Sequence, residues 1–314
     1  MVFWFSSFNM VTTKSFESFP IEKDALPSPT GMDAVRVTSQ SSVLTEIREY
    51  LRNYFGNPPH TPILDIPESH LLGKTDFFFL VREKGGRLVG TIRYRYVGEF
   101  MADDKPSIHR VDAFCIHPDW RKRGVGDYLL TELQRYVMAN GCPYAMFLKE
   151  GYYLPIMRNP IYSGYYVFRS LPTQQTSPHV RTISVEQAYR FIDVYHRIYP
   201  QVCIIRNRNG LQQWRLYKKG YHMILACFQD TYQRIDKERM GWCTAWLESS
   251  VVTDEIREEA AIALTNTLPS FDYVWMNKRW TGENEVWTDD GTFHWYTYHW
   301  STNSVMDISM CLLD

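Results

Sequence analysis

The alternation of apolar and polar residues along the chain predicts a mixture of strands and amphipathic helices. Residues 43–54 carry apolar side chains at near-helical spacing, so they predict a first helix. Aromatic and β-branched residues fill 77–82 and 87–97 on either side of the glycine-containing turn 84–86. This arrangement predicts a β-hairpin.

A third strand is predicted at about 108–116, followed by a glycine-containing turn at 121–126 and a helix through Met138. The apolar positions of that helix repeat every four residues: Val125, Leu129, Leu133 and Val137. Another strand is predicted near 144–147. The order is therefore three strands, a glycine turn, a helix and a strand.

The second half of the chain repeats this order more loosely. Strands are predicted near 213–217, 221–228 and 241–247, then a helix capped by Thr253, then a strand at 271–277. We expect an extended arm followed by two similar halves, with these bounds: arm 1–30, N-terminal half 31–172 and C-terminal half 173–314. Only the first half has a glycine turn before its helix, so only that half is expected to hold a phosphate, and the second is expected to bind substrate or to act as a scaffold.

Composition narrows the class of protein. Of 314 residues, 34 are Lys or Arg and 35 are Asp or Glu, so no strong overall field attracts nucleic acid. With 45% hydrophobic and 15% aromatic residues, the chain is expected to fold around aromatic-lined surfaces or pockets. We predict no nucleic-acid partner.

The cysteines and the apolar runs indicate a cytoplasmic protein. The six cysteines stand alone, without a CxxC pair or a histidine at metal-ligand spacing, so reduced core thiols and no metal are expected. They are Cys115, Cys142, Cys203, Cys227, Cys243 and Cys311. No run of 18 apolar residues and no secretion signal is found, so no integral membrane contact is predicted.

The glycine turn carries the clearest chemistry. Arg121-Lys122-Arg123-Gly124-Val125-Gly126 opens a helix, where backbone N–H groups are unpaired and the helix dipole favours an anion. Two glycines allow a pyrophosphate to approach the backbone, and three cations supply charge. A solvated basic turn is the alternative, but the preceding hairpin and strand favour coenzyme A pyrophosphate.

Segments at both ends and in the middle of the chain resemble the glycylpeptide N-myristoyltransferase family of the GNAT superfamily. Residues 111–117, followed by the glycine turn, resemble a family segment of the same layout. Residues 289–300 (DDGTFHWYTYHW) resemble the family's G-D-G-x-L-x-Y-Y-L-Y-N-W, and 311–314 resemble its Leu-Leu-Gln ending. Phe3-Trp4 with 19–21 resembles its start, and the stretches 151–155 and 166–171 resemble two motifs of its middle part.

The resemblance implies an α+β fold in which two GNAT-like halves form one N-myristoyltransferase-like mixed sheet with flanking helices. It implies a monomer that transfers a myristoyl group from myristoyl-CoA to the N-terminal glycine amine of a peptide or protein. The implied acyl-CoA residues are Phe3, Trp4, Phe114, Cys115, Ile116, Arg121, Lys122, Arg123, Gly124, Val125, Gly126 and Asp127. The implied peptide residues are Asp112, Gly151, Tyr166, Phe168, Asp290 and Gly291.

The resemblance also implies a mechanism. The N–H groups of Ala113 and Phe114 form an oxyanion hole for the thioester carbonyl, and the terminal α-carboxylate of Asp314 acts as the base. Asp112 and Glu150 are the next candidates for the base. The alternative for Ala113 and Phe114 is that both amides simply pair within the sheet, so a β-bulge is needed to free them.

Several residues depart from the family pattern. Lys149 and Glu150 stand near the family's Thr-Ala, Phe168 replaces a histidine and Asp112 replaces an asparagine. Two alternatives therefore stay open: a GNAT acetyltransferase that uses acetyl-CoA on an amine or lysine, and a non-catalytic binder of acyl-CoA or lipidated peptides. Trp295, Tyr296 and Tyr298 are candidates for the lining of an acyl or peptide channel, although alternating aromatic residues of a strand lie more often in the core. His117 is expected to be structural.

Overall fold

The computed structural model describes residues 16–18, 32–38, 41–56, 63–100, 107–141, 144–153, 160, 162–198, 205–206, 211–249, 251–298 and 300–302. The strands in these ranges are β1 Phe16–Ser18, β2 Asp33–Val37, β3 Ile63–Leu64, β4 Phe77–Arg82, β5 Leu88–Phe100, β6 Ser107–Ile116, β7 Ala145–Glu150, β8 Tyr162–Ser170, β9 Val180–Thr182, β10 Ile205–Arg206, β11 Gln213–Lys219, β12 His222–Ile235, β13 Glu238–Glu248, β14 Tyr273–Asn277, β15 Thr288–Tyr298 and β16 Trp300–Thr302. The helices are α1 Ser41–Tyr54, α2 Glu68–Leu71, α3 Val125–Ala139, α4 Val185–Ile198, α5 Asp254–Asn266 and α6 Lys278–Thr281.

One mixed sheet organises the molecule. Its strand order is β2-β4-β5-β6-β7-β15-β8-β14-β13-β12-β11-β9, with β10 on β5 and β3 on β12. Within it the pairs β6–β7 and β13–β14 are parallel, and α3 and α5 make the crossovers that parallel neighbours require. The predicted fold class, a large mixed sheet with flanking helices, is confirmed.

Two parts of the sheet repeat one another. The order β4-β5-β6-α3-β7 recurs as β11-β12-β13-α5-β14, as the sequence pattern predicts. The two parts are interleaved, because β15 lies between β7 and β8, and β8 in turn pairs with β14. The bounds 1–30, 31–172 and 173–314 stay a prediction.

Helices cover both faces of the N-terminal part. Alternate residues of β4 point to opposite faces: Phe77 and Phe79 pack with α3, while Phe78 and Leu80 pack with α1. The predicted apolar stripe of α3 is fully buried, with 0% exposure at all four positions. Buried apolar area of this kind is the main favourable contribution to folding.

Three cysteines lie in the described residues. Cys115, Cys227 and Cys243 are buried thiols outside any disulfide, as predicted. Cys142, Cys203 and Cys311 fall outside the described residues. The strand predicted at 305–313 also falls outside them.

Candidate active site

The parallel strands β6 and β7 separate shortly after they meet. Their pairing covers only His109 with Ala145 and Arg110 with Met146. Beyond this point a cavity of about 350 Å³ opens beside β6. Its walls include Leu64 and Ile66, which pack with α1, and also Leu130 of α3 and Tyr298, which packs against that helix. The cavity therefore crosses the sheet.

A β-bulge lies in β6 at the wall of this cavity. Thr91 pairs with Cys115 and Arg93 pairs with Asp112, so Ile92 alone faces both Ala113 and Phe114. The φ of Ala113 is 46°, which lies in the left-handed region that residues with a Cβ rarely adopt. The extra residue also moves the odd-numbered side chains of β6 from the α3 face at Val111 to the α1 face at Cys115.

The β-bulge in β6 is the irregularity that the predicted oxyanion hole requires, because it can free the Ala113 and Phe114 amides from the sheet. Neither Ala113 nor Phe114 has a paired residue in the β5–β6 register. The Ala113 carbonyl accepts a hydrogen bond from the buried Thr91 hydroxyl at 2.8 Å, which anchors the distorted backbone. Both residues line the cavity. Their role as oxyanion donors stays a prediction.

The glycine turn forms an uncapped helix start. A 3₁₀ turn at Pro118–Trp120 leads into α3, whose N-cap is Gly124 with φ 80° and no side-chain cap. The amide of Tyr128 donates to the Gly124 carbonyl at 3.0 Å, so this bond closes the first helical turn. The amides before Tyr128 belong to the N-terminal groups that lack intrahelical partners, which suits them to a phosphate.

The side chains around the turn fix its shape. Arg121 donates to the Ile116 carbonyl at 3.2 Å, and the guanidinium of Arg123 lies 5.3 Å from the centre of the Trp120 ring. A Cβ added to Gly126 would lie 3.1 Å from Cζ of Phe114. The glycine turn therefore lies directly beside the bulge, and the space at Gly126 is taken up by the Phe114 ring.

The equivalent helix of the C-terminal part is closed to an anion. The Thr253 hydroxyl accepts from the Ile256 amide at the start of α5, and Asp254 and Glu255 occupy the first turn. The Thr253 hydroxyl pairs with an amide of this turn, and the two carboxylates oppose the positive end of the helix dipole. These side chains therefore supply the interactions that a bound phosphate would make with a helix start. This contrast supports the expectation that a phosphate binds only in the N-terminal part.

Apolar side chains from both parts of the sheet line the cavity. They include Val111, Phe114, Leu130, Phe147, Leu148, Trp242, Trp275, Phe293 and Tyr298. Trp295 and Tyr296 are buried, at 1% and 0% exposure, as predicted for the aromatic residues of β15. Tyr298 is buried too, but it also lines the cavity, where its hydroxyl donates to the Leu130 carbonyl at 2.9 Å.

Three arginines surround Asp112 in the cavity. Arg93 binds both oxygens of this carboxylate, at 2.6 and 2.9 Å, and Nε of Arg95 and of Arg110 lie 3.3 and 3.8 Å away. Burial alone would raise the pKa of Asp112, but the three guanidinium groups outweigh it and hold the pKa well below the usual carboxyl range. Asp112 is therefore a poor candidate for a base.

Glu150, at the end of β7, has the opposite electrostatic environment. Its side chain reaches solvent and lines the cavity. Desolvation by the surrounding protein raises its pKa, and the nearby Asp290 raises it further, against the opposing effect of Arg110 and Lys149. A carboxylate with a raised pKa is the better proton acceptor, so Glu150 is the stronger described candidate for the base.

The structure brings together only some of the predicted peptide residues. Asp112 and Tyr166 line the cavity, whereas Gly151, Phe168, Asp290 and Gly291 are not among its lining residues. Cys115 points its buried side chain toward the α1 face. The predicted residues Phe3, Trp4 and Asp314 lie outside the described residues.

His117 has the structural role that the sequence predicts. Its ring packs on Tyr54 with centroids 4.4 Å apart, and its Nδ1 accepts from the Asp119 amide at 3.3 Å. It therefore stabilises the turn before the glycine segment, and it is not among the residues that line the cavity.

Comparison with known proteins places these features in a family. Residues 44–153 match the acetyltransferase (GNAT) family model. An acetyltransferase of Pectobacterium atrosepticum is 30% identical over 111 residues, 35% of this chain and 70% of that protein. One from Photorhabdus laumondii is 34% identical over 111 residues, 35% of this chain and 69% of that protein. The chain belongs to the GNAT family. It is thus an acyl-CoA-dependent N-acyltransferase by family, and the matched residues include the glycine turn and the bulge.

The whole GNAT chain resembles a larger solved structure. The crystal structure of Saccharomyces cerevisiae N-myristoyltransferase with bound myristoyl-CoA superposes with a TM-score of 0.67 over 91% of this chain and 87% of that one. A second structure of that enzyme, with bound myristoyl-CoA and inhibitors, gives a TM-score of 0.64 over 91% and 84%. At 12% identity, this likeness concerns the fold.

In the described ranges, no three His, Cys, Asp or Glu side chains gather in a way that could hold a metal ion. Within the same ranges, no helix combines the length and the apolar character needed to span a bilayer.

Proposed function

We propose that this GNAT protein transfers a long acyl chain, such as myristoyl, from acyl-CoA to the N-terminal glycine amine of a peptide or protein. The observation that carries the proposal is the cavity that crosses the sheet beside the bulge. Its apolar side, with Val111, Leu130, Phe147 and Tyr298, suits an acyl chain, and its polar side suits an acceptor. The fold shared with an N-myristoyltransferase supports it.

The reaction joins the amine to the thioester carbon. The base removes a proton from the ammonium form of the acceptor, the nitrogen lone pair attacks the carbonyl carbon, and the Ala113 and Phe114 amides stabilise the negative oxygen. When the C–N bond has formed, the nitrogen loses its second proton and the C–S bond breaks. CoA leaves as a thiolate that takes up one proton, so the products are a neutral amide and free CoA. Either Glu150 or the α-carboxylate of Asp314 acts as the base.

The test is a matrix of donors and acceptors. Acetyl-, myristoyl- and palmitoyl-CoA are each incubated with glycine-starting peptides, and products are identified by mass. We expect myristoylated peptide, and a matched peptide whose N-terminal amine is blocked by acetylation should yield no product. If only acetyl-CoA reacts, or only lysine side chains are acylated, the long-chain proposal is wrong.

A second candidate function is acetylation of an amine or a lysine from acetyl-CoA. It is supported by the similar proteins of Pectobacterium and Photorhabdus, which are named acetyltransferases. The same matrix separates the two functions, because it varies the acyl length and the acceptor independently. A protein that binds acyl-CoA but yields no product with any acceptor would be the non-catalytic binder.

A further inference from the structure

Four aromatic rings form a continuous wall along one side of the cavity. This ring wall consists of Tyr166, Trp242, Trp275 and Phe293, which all line the cavity. The Tyr166 ring meets Phe293 and Trp242 nearly edge to face, with centroids 4.6 and 5.9 Å apart. The Phe293 ring also contacts Trp275, with centroids 6.1 Å apart. Tilted arrangements of this kind are the ones that aromatic side chains prefer.

The two tryptophans of the ring wall are its most exposed members. Trp242 on β13 and Trp275 on β14 are direct neighbours in the parallel register, and both are half-buried. Tyr166 and Phe293 are only 3% and 6% exposed. Half-buried indoles that line a cavity keep apolar area for a ligand to cover, and tryptophan is among the residues that most often dominate binding energy.

The surrounding residues hold the ring wall in place. Phe293 lies opposite Gly164 in the β8–β15 register. A Cβ at Gly164 would come within 2.8 Å of Cε2 of Tyr166, so the missing side chain leaves room for that ring. Behind the wall, the Trp242 indole stacks on the buried Trp295 indole, with an interplanar angle of 9°. A surface that is ordered in advance binds a ligand at a lower entropy cost.

Polar residues adjoin the ring wall where the acceptor is expected. Glu150, the described candidate for the base, is the direct cross-strand partner of Phe293, and Gln229 is that of Trp242. Direct partners share one face of a sheet, with Cβ atoms about 5 Å apart. Glu150 and Gln229 both line the cavity. An amine that reaches Glu150 therefore has the ring wall beside it, and this mixed polarity suits an amphipathic acceptor better than an acyl chain.

We propose that the acceptor carries an aromatic side chain close to its reacting amine, and that the ring wall binds this side chain. The inference rests on the proposed peptide acceptor and names its class: a glycine-starting peptide with Phe, Tyr or Trp at the second or third position. An extended chain advances about 3.3 Å per residue, so side chains at these positions reach a wall that begins about 5 Å from Glu150.

The test compares matched peptides that differ at one position. Peptides with Phe, cyclohexylalanine or Ala at position 2, and separately at position 3, are acylated with myristoyl-CoA, and kcat/KM is measured for each. At one of the two positions, we expect Phe to exceed Ala by about tenfold or more, because the ring wall buries the larger apolar side chain. Phe should exceed cyclohexylalanine by about two- to tenfold, the gain of an aromatic pair beyond that of buried area.

Substitutions of the tryptophans assign the preference to the ring wall. Trp275→Leu and, separately, Trp242→Leu should each reduce the Phe-over-Ala ratio toward one, whereas Trp275→Phe should retain part of it. Trp287→Leu is the matched control, because Trp287 is a buried tryptophan that is not among the lining residues, and it should leave the ratio unchanged. Circular dichroism verifies folding, and the ratio compares two peptides on one variant, so a general loss of activity cancels.

The outcomes separate this inference from the proposed function. Equal kcat/KM for the Phe and Ala peptides at both positions would overturn the aromatic acceptor and leave the acyl transfer intact. Equal kcat/KM for Phe and cyclohexylalanine would show a merely apolar preference and would overturn the aromatic class, as would a Phe preference that persists in both leucine variants. Absence of product with every peptide and every acyl-CoA would contradict the proposed function, and the inference with it.

Discussion

Gly126 lies between the turn proposed to bind phosphate and the β-bulge of β6. A Cβ at this position would approach the Phe114 ring to 3.1 Å, at the bulge, while its own amide lies in the first turn of α3. We expect Gly126→Val to weaken CoA binding by about tenfold or more, because it displaces Phe114 and crowds the amides that would bind phosphate. Isothermal titration with CoA measures the effect.

The chain offers a matched control for this substitution. Gly85 in the β4–β5 hairpin has no positive φ, and an added Cβ would meet nothing within 4 Å. Gly85→Val should therefore leave CoA affinity unchanged. Gly124 is less suitable, because its φ of 80° would add backbone strain to any steric effect. Unchanged CoA affinity in Gly126→Val would contradict the assignment of the turn.

The role of Glu150 as the base can be tested by the pH dependence of kcat. A base must be deprotonated, so kcat should fall as pH decreases through the raised pKa of Glu150. Glu150→Gln should remove this limb and lower kcat by roughly 10²- to 10⁴-fold, the usual contribution of a general base. Initial rates with myristoyl-CoA across a pH series measure both effects.

The stability of Glu150→Gln tests the direction of the Glu150 pKa shift independently of catalysis. A raised pKa means that the folded state disfavours the ionised form of Glu150, so the charge lowers stability above that pKa. Glu150→Gln should therefore be at least as stable as the parent at neutral pH, and any gain should disappear in acid. If kcat and its pH profile are unchanged while a C-terminal tag abolishes activity, the base is the α-carboxylate of Asp314.

At the scale of elements, the bulge in β6 depends on a side chain of the neighbouring strand. Thr91 is fully buried, and its hydroxyl donates to the Ala113 carbonyl at 2.8 Å. Thr91→Val keeps the shape but leaves that carbonyl without this donor, so we expect a loss of about 1–3 kcal/mol in the free energy of unfolding. Because the backbone that carries the proposed oxyanion donors is then less well fixed, kcat should fall more than KM changes.

Thr265 on α5 provides the comparison for Thr91. It too is fully buried, and its hydroxyl donates to the Ala261 carbonyl at 2.8 Å. Thr265→Val should lower stability in urea unfolding without affecting kcat, since α5 lies in the part that lacks the glycine turn. Equal kcat values in the two valine variants would show that the bulge does not position the catalytic backbone.

The elements that the sequence predicts correctly are those marked by a local pattern of residue types. The periodic apolar residues of α1 and α3, the hairpin β4–β5 and the Thr253 cap of α5 are all found in the structure. α4, Val185–Ile198, is not among the elements predicted above, although it buries Ala188, Tyr189 and Ile192 at helical spacing. That spacing is a local sequence signal for a helix.

The arginine cluster depends on register, which no local pattern reveals. Arg93, Arg95 and Arg110 read as separate polar residues of two strands, and only the β5–β6 pairing places them around Asp112. The bulge required by the proposed oxyanion hole could be named as a condition, but it could not be located from residue types. The register of β5 against β6 therefore decides which charged side chains meet in the site.

At the scale of the whole molecule, the two parts of the sheet depend on each other. β8 belongs to the predicted N-terminal half, yet both of its neighbours, β14 and β15, belong to the C-terminal half. β15 in turn pairs with β7 of the N-terminal half. The sequence predicts two similar halves, but it does not predict this interleaving, because a repeated element order does not specify which strands share an edge.

We expect the interleaved sheet to unfold as one cooperative unit. Separating the halves would strip β8 of both partners and leave β7 and β15 with open edges, so no intermediate with one folded half should be stable. Eight of the ten tryptophans lie in 173–314, so their fluorescence reports the C-terminal half, and hydrogen exchange in α3 reports the N-terminal half. In urea, both probes should give one midpoint. A midpoint for α3 that differs from the tryptophan midpoint would instead show that the halves at 31–172 and 173–314 are independent folding units.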